Sequence, residues 1–229
     1  MQLPKTLTSM PRLLYHPAAG YVVLFLSLLL TGLAWHFSVE YSKSRALDRF
    51  EFQVEEIEST IRQRMDQYAR ILQAGTGLFA ASESVEREEW RRFVASLQLT
   101  ENYPGTQGLG VSVAIEPAQL QDHIDTIRGE GFPDYSVRPE GQRGLYTSIV
   151  FLEPFDWRNQ RAFGFDMYSE RMRRSAMDKA IETGLPSISG KVTLVQETGK
   201  DIQAGFLMYV PIYRADMPAN APVSVRRDG

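Results

Sequence analysis

From Ala18 to Phe37 the chain carries no ionisable residue other than His36, in a run dominated by Val, Leu, Phe and Ala. A helix of roughly 20 residues spans a hydrocarbon core about 30 Å thick, so residues 18–37 are expected to form a transmembrane helix. A cleaved signal peptide is the competing reading. Its apolar run is usually roughly 7–15 residues and ends at small side chains. Here Trp35, His36 and Phe37 close a longer run and Tyr21 lies near its start, in the manner of an aromatic belt. Lys5 and Arg12 precede the run and Lys43, Arg45 and Arg49 follow it, so counting basic residues does not decide the orientation.

Past the span, apolar residues recur at Phe50, Val54, Ile57, Ile61, Met65, Tyr68 and Leu72, in steps of four and three. That spacing is one narrow stripe on a helix, and charged residues such as Arg49, Glu51, Glu55, Glu58 and Arg62 fill the other faces. No Pro or Gly interrupts residues 38–74, which as one helix would reach roughly 55 Å. The stripe could pack on its own domain or form a parallel seam with a second copy. Its narrowness over about three heptads favours the seam, and with it a homodimer.

Gly75 and Gly77 loosen the pattern, and Ser84, with Glu86, Glu88 and Glu89 behind it, reads as the N-cap of a helix to about Leu97. Trp90, Phe93, Val94 and Leu97 would be its core face. Tyr103-Pro104-Gly105 predicts a turn, residues 109–115 a strand, and Pro117 the first residue of a helix to about Arg128. Short strands are expected over residues 135–138, 145–152, 161–165, 191–196 and 204–213. A helix opens among them at Ser169 and closes at Thr183-Gly184-Leu185-Pro186. This is an α+β pattern, in which one sheet face is covered and the other can cup a ligand.

Composition narrows the functional classes. A formal charge of −3 provides no basic field for nucleic acid. With no cysteine there are no disulfides, thiolate nucleophiles or Cys-type zinc sites. His16, His36 and His123 share no metal-ligand spacing, so no metal and no cofactor is expected. Asp156 near Arg158, and Asp122 with Asp125, read as solvated turns or helix faces rather than acid/base pairs. The cluster Arg171, Arg173 and Arg174 reads as a solvated helix face. No nucleophile elbow, phosphate loop, phosphoacceptor-histidine box or cyclase signature occurs, and no catalytic residue is nominated.

An ordered series of short motifs gives the region from Leu78 to Tyr213 a family likeness. It comprises Phe79-Ala80-Ala81-Ser82 with Val85, Tyr103-Pro104-Gly105-Thr106-Gln107-Gly108-Leu109-Gly110, the run from Ile149 to Pro154, and Gly164-Phe165-Asp166-Met167 with Ser169 and Arg171. Ala180 with Thr183-Gly184, Gln196-Glu197, Gly205-Phe206-Leu207 and Val210-Pro211-Ile212-Tyr213 complete it. The region resembles a CHASE domain, the extracellular sensory module of receptor histidine kinases and nucleotide or diguanylate cyclases. The resemblance implies a PAS-like antiparallel sheet with flanking helices, facing away from the cytoplasm on a dimerising stalk. The expected organisation is then a cytoplasmic tail (1–17), a transmembrane helix (18–37), a stalk (38–77) and a sensory domain (78–229). The sensory domain would lie in the periplasm or outside the cell, anchored in the inner (plasma) membrane. Family architecture further implies a second span and a cytoplasmic output domain beyond Gly229, so the sequence reads as part of a longer receptor.

Asp166 stands between Phe165 and Met167 just before a helix start. Its carboxylate could accept a ligand N–H, giving an apolar cup one polar handle, or could cap the helix near Ser169. The resemblance favours binding, because the matching aspartate of cytokinin-binding relatives contacts an adenine-like ring. It also places Ile188 at an apolar pocket position and Tyr209 where such relatives carry a small hydroxyl residue, a departure that leaves the ligand open. Gly205 permits close backbone approach by a ligand or marks a β-bulge. Phe151 could line the cup with Phe165, as could Phe163, although a core role suits Phe151 and Phe163 better. The leading expectation is a non-catalytic sensor for an unidentified small molecule. A ligand-free dimerisation or spacer ectodomain and a membrane-tethered envelope hydrolase are its rivals.

Overall fold

The computed structural model describes residues 17–195 and 204–213. Expectations about the tail, Gln196-Glu197 and the chain after Tyr213 lie outside the described residues. Two compact units, Met1–Arg62 and Gln63–Gly229, are taken in turn. One 65-residue helix, α1 (Pro17–Ala81), begins in the first and ends in the second.

In the first unit, Gly20–Tyr41 is a stretch of 22 residues with mean hydropathy 2.0, long and apolar enough to cross a membrane. Phe25, Leu28, Leu30 and Trp35 are all exposed. The hydroxyls of Ser27 and Thr31 donate back to the carbonyls of Val23 and Ser27, each at 2.8 Å, so these polar groups ask nothing of an apolar surrounding. Farther along, Phe50, Val54, Ile57 and Ile61 are exposed as well.

The second unit is α+β with small antiparallel sheets. Here α1 continues through Gly75 and Gly77, and Gly75 is buried beside the Trp90 ring. Ile71 packs with Trp90 and Val94 of α2 (Arg87–Leu97), Leu99 of α3 (Leu99–Asn102) and Leu109. Glu86, not Ser84, caps α2: its carboxylate accepts from the Glu89 backbone while the Glu89 carboxylate accepts from the Glu86 N–H at 3.0 Å. A reciprocal box satisfies two N–H groups at once, which a lone serine two residues earlier does not.

Strand β1 (Leu109–Ile115) runs antiparallel to β2 (Tyr146–Glu153), with a register shift between Val111 and Ser112 that leaves Val150 as the extra residue on β2. A 3-10 turn, Pro117–Gln119, leads into α4 (Leu120–Gly129) in place of one continuous helix. The other edge of β2 takes the segment 164–166: the Gly164 N–H donates to Ile149 O at 3.0 Å and the Ile149 N–H to Phe165 O at 3.2 Å. Arg138 N–H then donates to Gly164 O at 2.9 Å. The strands expected over 135–138 and 161–165 shrink to these few pairs. The Asp156 side chain accepts from the N–H groups of Arg158 and Asn159 and winds the chain into a 3-10 turn at Asn159–Ala162. Gly164 enters the sheet at φ +82°, where an added Cβ would lie 2.3 Å from Ser136 O, so no side chain fits there.

Glu170 rather than Ser169 caps α5 (Arg171–Thr183), accepting from the Met172 and Arg173 N–H groups, and Gly184 closes it in the left-handed region. Two short ribbons follow: β3 (Ser187–Ile188) with β6 (Met208–Tyr209), and β4 (Val192–Thr193) with β5 (Ala204–Gly205). The longer strands expected over 191–196 and 204–213 break between these ribbons. The Ser189 hydroxyl accepts from the Leu207 N–H at 2.9 Å, so a side chain takes the place of a ladder carbonyl.

Candidate functional site

The bulge at Val150 decides which side chains meet. Before it, Tyr146 and Val150 join one apolar cluster with Ile115, Ile127, Tyr135, Val137 and Phe163. Ile149 and Leu152, not Phe151, join another with Ala162 and Met167. The extra residue inverts the alternation, and Phe151 stacks on Trp90 with ring centroids 6.3 Å apart. Phe165, Leu207 and Tyr209 pack on the Ile149–Met167 cluster. The segment 164–169, α5 and the β3–β6 ribbon therefore border one site, and Phe151 packs elsewhere.

Asp166 is fully buried. Its Oδ1 accepts from Thr147 N–H at 2.9 Å, from the Thr147 hydroxyl at 3.3 Å and from Tyr168 N–H at 3.1 Å, which caps the 3-10 turn Met167–Ser169. Its Oδ2 lies 3.4 Å from Arg143 Nε, near enough for an ion pair, and has no hydrogen-bond partner. Arg143 is held over this oxygen by its own loop, donating to the carbonyls of Pro139 and Gly141 at 3.0 and 3.2 Å. Ile188 is exposed on β3, opposite Met208. Gly205 pairs with Val192, and an added Cβ would crowd the Leu194 side chain at 3.0 Å.

Arg173 is the residue that sequence reasoning missed. Arg171 and Arg174 are solvated as expected, but Arg173 is 4% exposed. It shares the inner face of α5 with buried Ala176 and Ala180, and this three-and-four spacing with small residues was the available signal. Its guanidinium lies 4.8 Å above the Phe165 ring. Nη2 donates to Thr193 O at 2.9 Å, Nη1 reaches only the Met167 sulfur at 3.3 Å, and Nε has no hydrogen bond, with the Glu170 carboxylate 3.7 Å away. Burial pulls its pKa down, while Tyr209 and Glu170 oppose that shift. The Tyr209 hydroxyl is also buried without a partner, and burial pushes its pKa up against the pull of Arg173.

A separate polar chain enters from α4: His123 Nε2 lies 2.8 Å from the Tyr135 hydroxyl, itself 2.6 Å from the Ser148 Oγ at the sheet centre. Burial holds the His123 pKa below its usual 6.5, outweighing the nearby Glu130. The unfolded chain therefore binds the proton first, and stability falls as pH drops through and below about 6.5. Thermal melts from pH 7.5 to 5 are expected to show this decline and a shallower one for His123→Gln. Equal slopes would remove His123 from the pH dependence.

Among the described residues, no group of three His, Cys, Asp or Glu could hold a metal ion. The family model described as CHASE domain matches residues 83–228. No curated protein matches the chain.

Proposed function

The chain belongs to the CHASE domain family, extracellular sensory domains of signalling proteins rather than catalytic ones, and on that premise we propose that it is a membrane-anchored receptor ectodomain for a small molecule. The observation that carries this reading is the family match over 83–228, lying behind an apolar helix of membrane-spanning length at Gly20–Tyr41. In this reading Gly20–Tyr41 is an uncleaved anchor in the inner (plasma) membrane, and the domain faces the periplasm or exterior. The ligand enters a PAS-like cup and meets Phe165, Tyr209, Ile188 and Gly205, with Asp166 Oδ2 as a carboxylate oxygen free of hydrogen bonds. Two chains pair along the Phe50–Ile61 stripe. The ligand binds one dimer arrangement more tightly than another and thereby biases a cytoplasmic kinase or diguanylate cyclase.

One observation favours the ligand-free spacer as a second reading: three of the hydrogen bonds Asp166 accepts come from its own fold. A metabolite library screened by thermal shift on the full chain in nanodiscs separates the two. A saturable hit weakened by substitutions at Phe165 or Tyr209 supports the sensor, and no hit across the library supports the spacer. Protease added to intact spheroplasts is expected to cut the domain. Cleavage only after lysis would reverse the topology and end the sensor reading.

A further inference from the structure

Buried polar groups ordinarily find partners, and buried charges are ordinarily paired. Arg173 departs from the first rule and meets the second only through Glu170 at 3.7 Å. Among the described residues, one of its five N–H donors meets a carbonyl at good distance and one meets a thioether, a weak acceptor, while Nε meets nothing within hydrogen-bond reach. Tyr209 packs on the cluster of Met167 and Phe165, both of which Arg173 touches, and its hydroxyl is likewise buried and unpartnered. Both vacant positions can donate, although the tyrosine hydroxyl can also accept. What completes them is an acceptor, and beside a guanidinium an anionic one.

The surroundings restrict that anion. Glu170, itself partly exposed, offsets part of the Arg173 charge from 3.7 Å, so a monoanion leaves less surplus negative charge beside Arg173 than a phosphate dianion would. Phe165, Met167 and Leu207 make the rest of the packed surroundings apolar. The bordering ribbon β3–β6 is a ladder of only two residues on each strand.

We infer that Arg173 and Tyr209 recognise a monocarboxylate group on an otherwise apolar or aromatic ligand. This rests on the sensor reading above and specifies the ligand class for it. Asp166, whose Oδ1 is saturated by Thr147 and Tyr168, then shapes the wall rather than supplying the principal handle.

The test uses the full chain in nanodiscs and thermal shift with butyrate and benzoate, their amides butyramide and benzamide, and inorganic phosphate. A saturable rise in Tm with the carboxylates alone is expected. Arg173→Met should abolish it, and Tyr209→Phe should weaken apparent affinity about tenfold, the scale of one lost hydrogen bond to a charged group. Arg173→Met should also melt no lower than the parent without any probe, because an apolar side chain replaces an incompletely paired buried charge. An equal shift with the amides, a shift with phosphate instead, or none with any probe would overturn the carboxylate assignment. So would a clear loss of Tm in Arg173→Met, which would make the arginine a structural staple. A hit from the metabolite library that Arg173→Met leaves untouched would preserve the sensor and discard only this ligand class.

Discussion

Asp166→Ala is expected to lower the melting midpoint of the full chain by roughly 6–20 °C. Removing one member of a buried ion pair leaves the other charge uncompensated, at about 3–5 kcal/mol, and each kcal/mol is about 2–4 °C for a domain of this size. At Asp166 the loss extends beyond Arg143. The Thr147 and Tyr168 N–H groups both donate to the same Oδ1, and the Tyr168 N–H also donates to the Thr147 hydroxyl at 2.9 Å. Asp166→Asn keeps an acceptor at that position and should lose less than half as much. Arg143→Met removes the cation beside the buried carboxylate but leaves the three hydrogen bonds to Oδ1 in place, so it should also lose less than Asp166→Ala. Differential scanning calorimetry of the three variants checks the ranking. If the alanine variant melts within about 2 °C of the parent, Asp166 does not hold the 164–169 segment in place.

The same residue marks where sequence reading reaches its limit. Its two roles, cap and ligand handle, need the same carboxylate in the same place before a helical turn, so local sequence cannot separate them. The elements that were legible have local causes. The stripe of α1, the strand at Leu109–Ile115 and the glycine stop of α5 follow from spacing and from single-residue backbone preference. What escaped depends on how side chains pack and bond once the backbone is placed. Phe151 takes the core role that suits it better, and it does so because one bulged residue on β2 inverts the alternation, a bulge that nothing within 145–152 announces. The strand at 161–165 dissolves because Asp156 turns the backbone first. Arg173 reads as solvated beside two neighbours that are solvated, and only the later packing of Ala176 and Ala180 turns it inward.

Ile57→Asp combined with Ile61→Asp is expected to convert the chain in detergent from dimer to monomer, as read by light scattering after size exclusion. The stripe itself argues for this. Phe50, Val54, Ile57 and Ile61 follow steps of four, three and four, the spacing of a coiled-coil seam, and are 44–64% exposed. The next step, from Ile61 to Met65, is again four and breaks the heptad. Beyond it the burial changes owner: Met65 and Tyr68 are half-buried, and Ile71 rather than the expected Leu72 is fully buried against Trp90 and Val94. The stripe thus holds both readings in succession, a vacant face up to Ile61 and a domain-packed face after it. An uncompensated carboxylate in a closed seam costs about 3 kcal/mol or more, which is about 100-fold or more in dissociation constant. Phe52 supplies the control. It is 67% exposed and equally apolar, but two residues from Phe50 it points away from the stripe, so Phe52→Asp should remain dimeric. A parent that is monomeric, or a double variant that still dimerises while Phe52→Asp does not, would move the interface off this face.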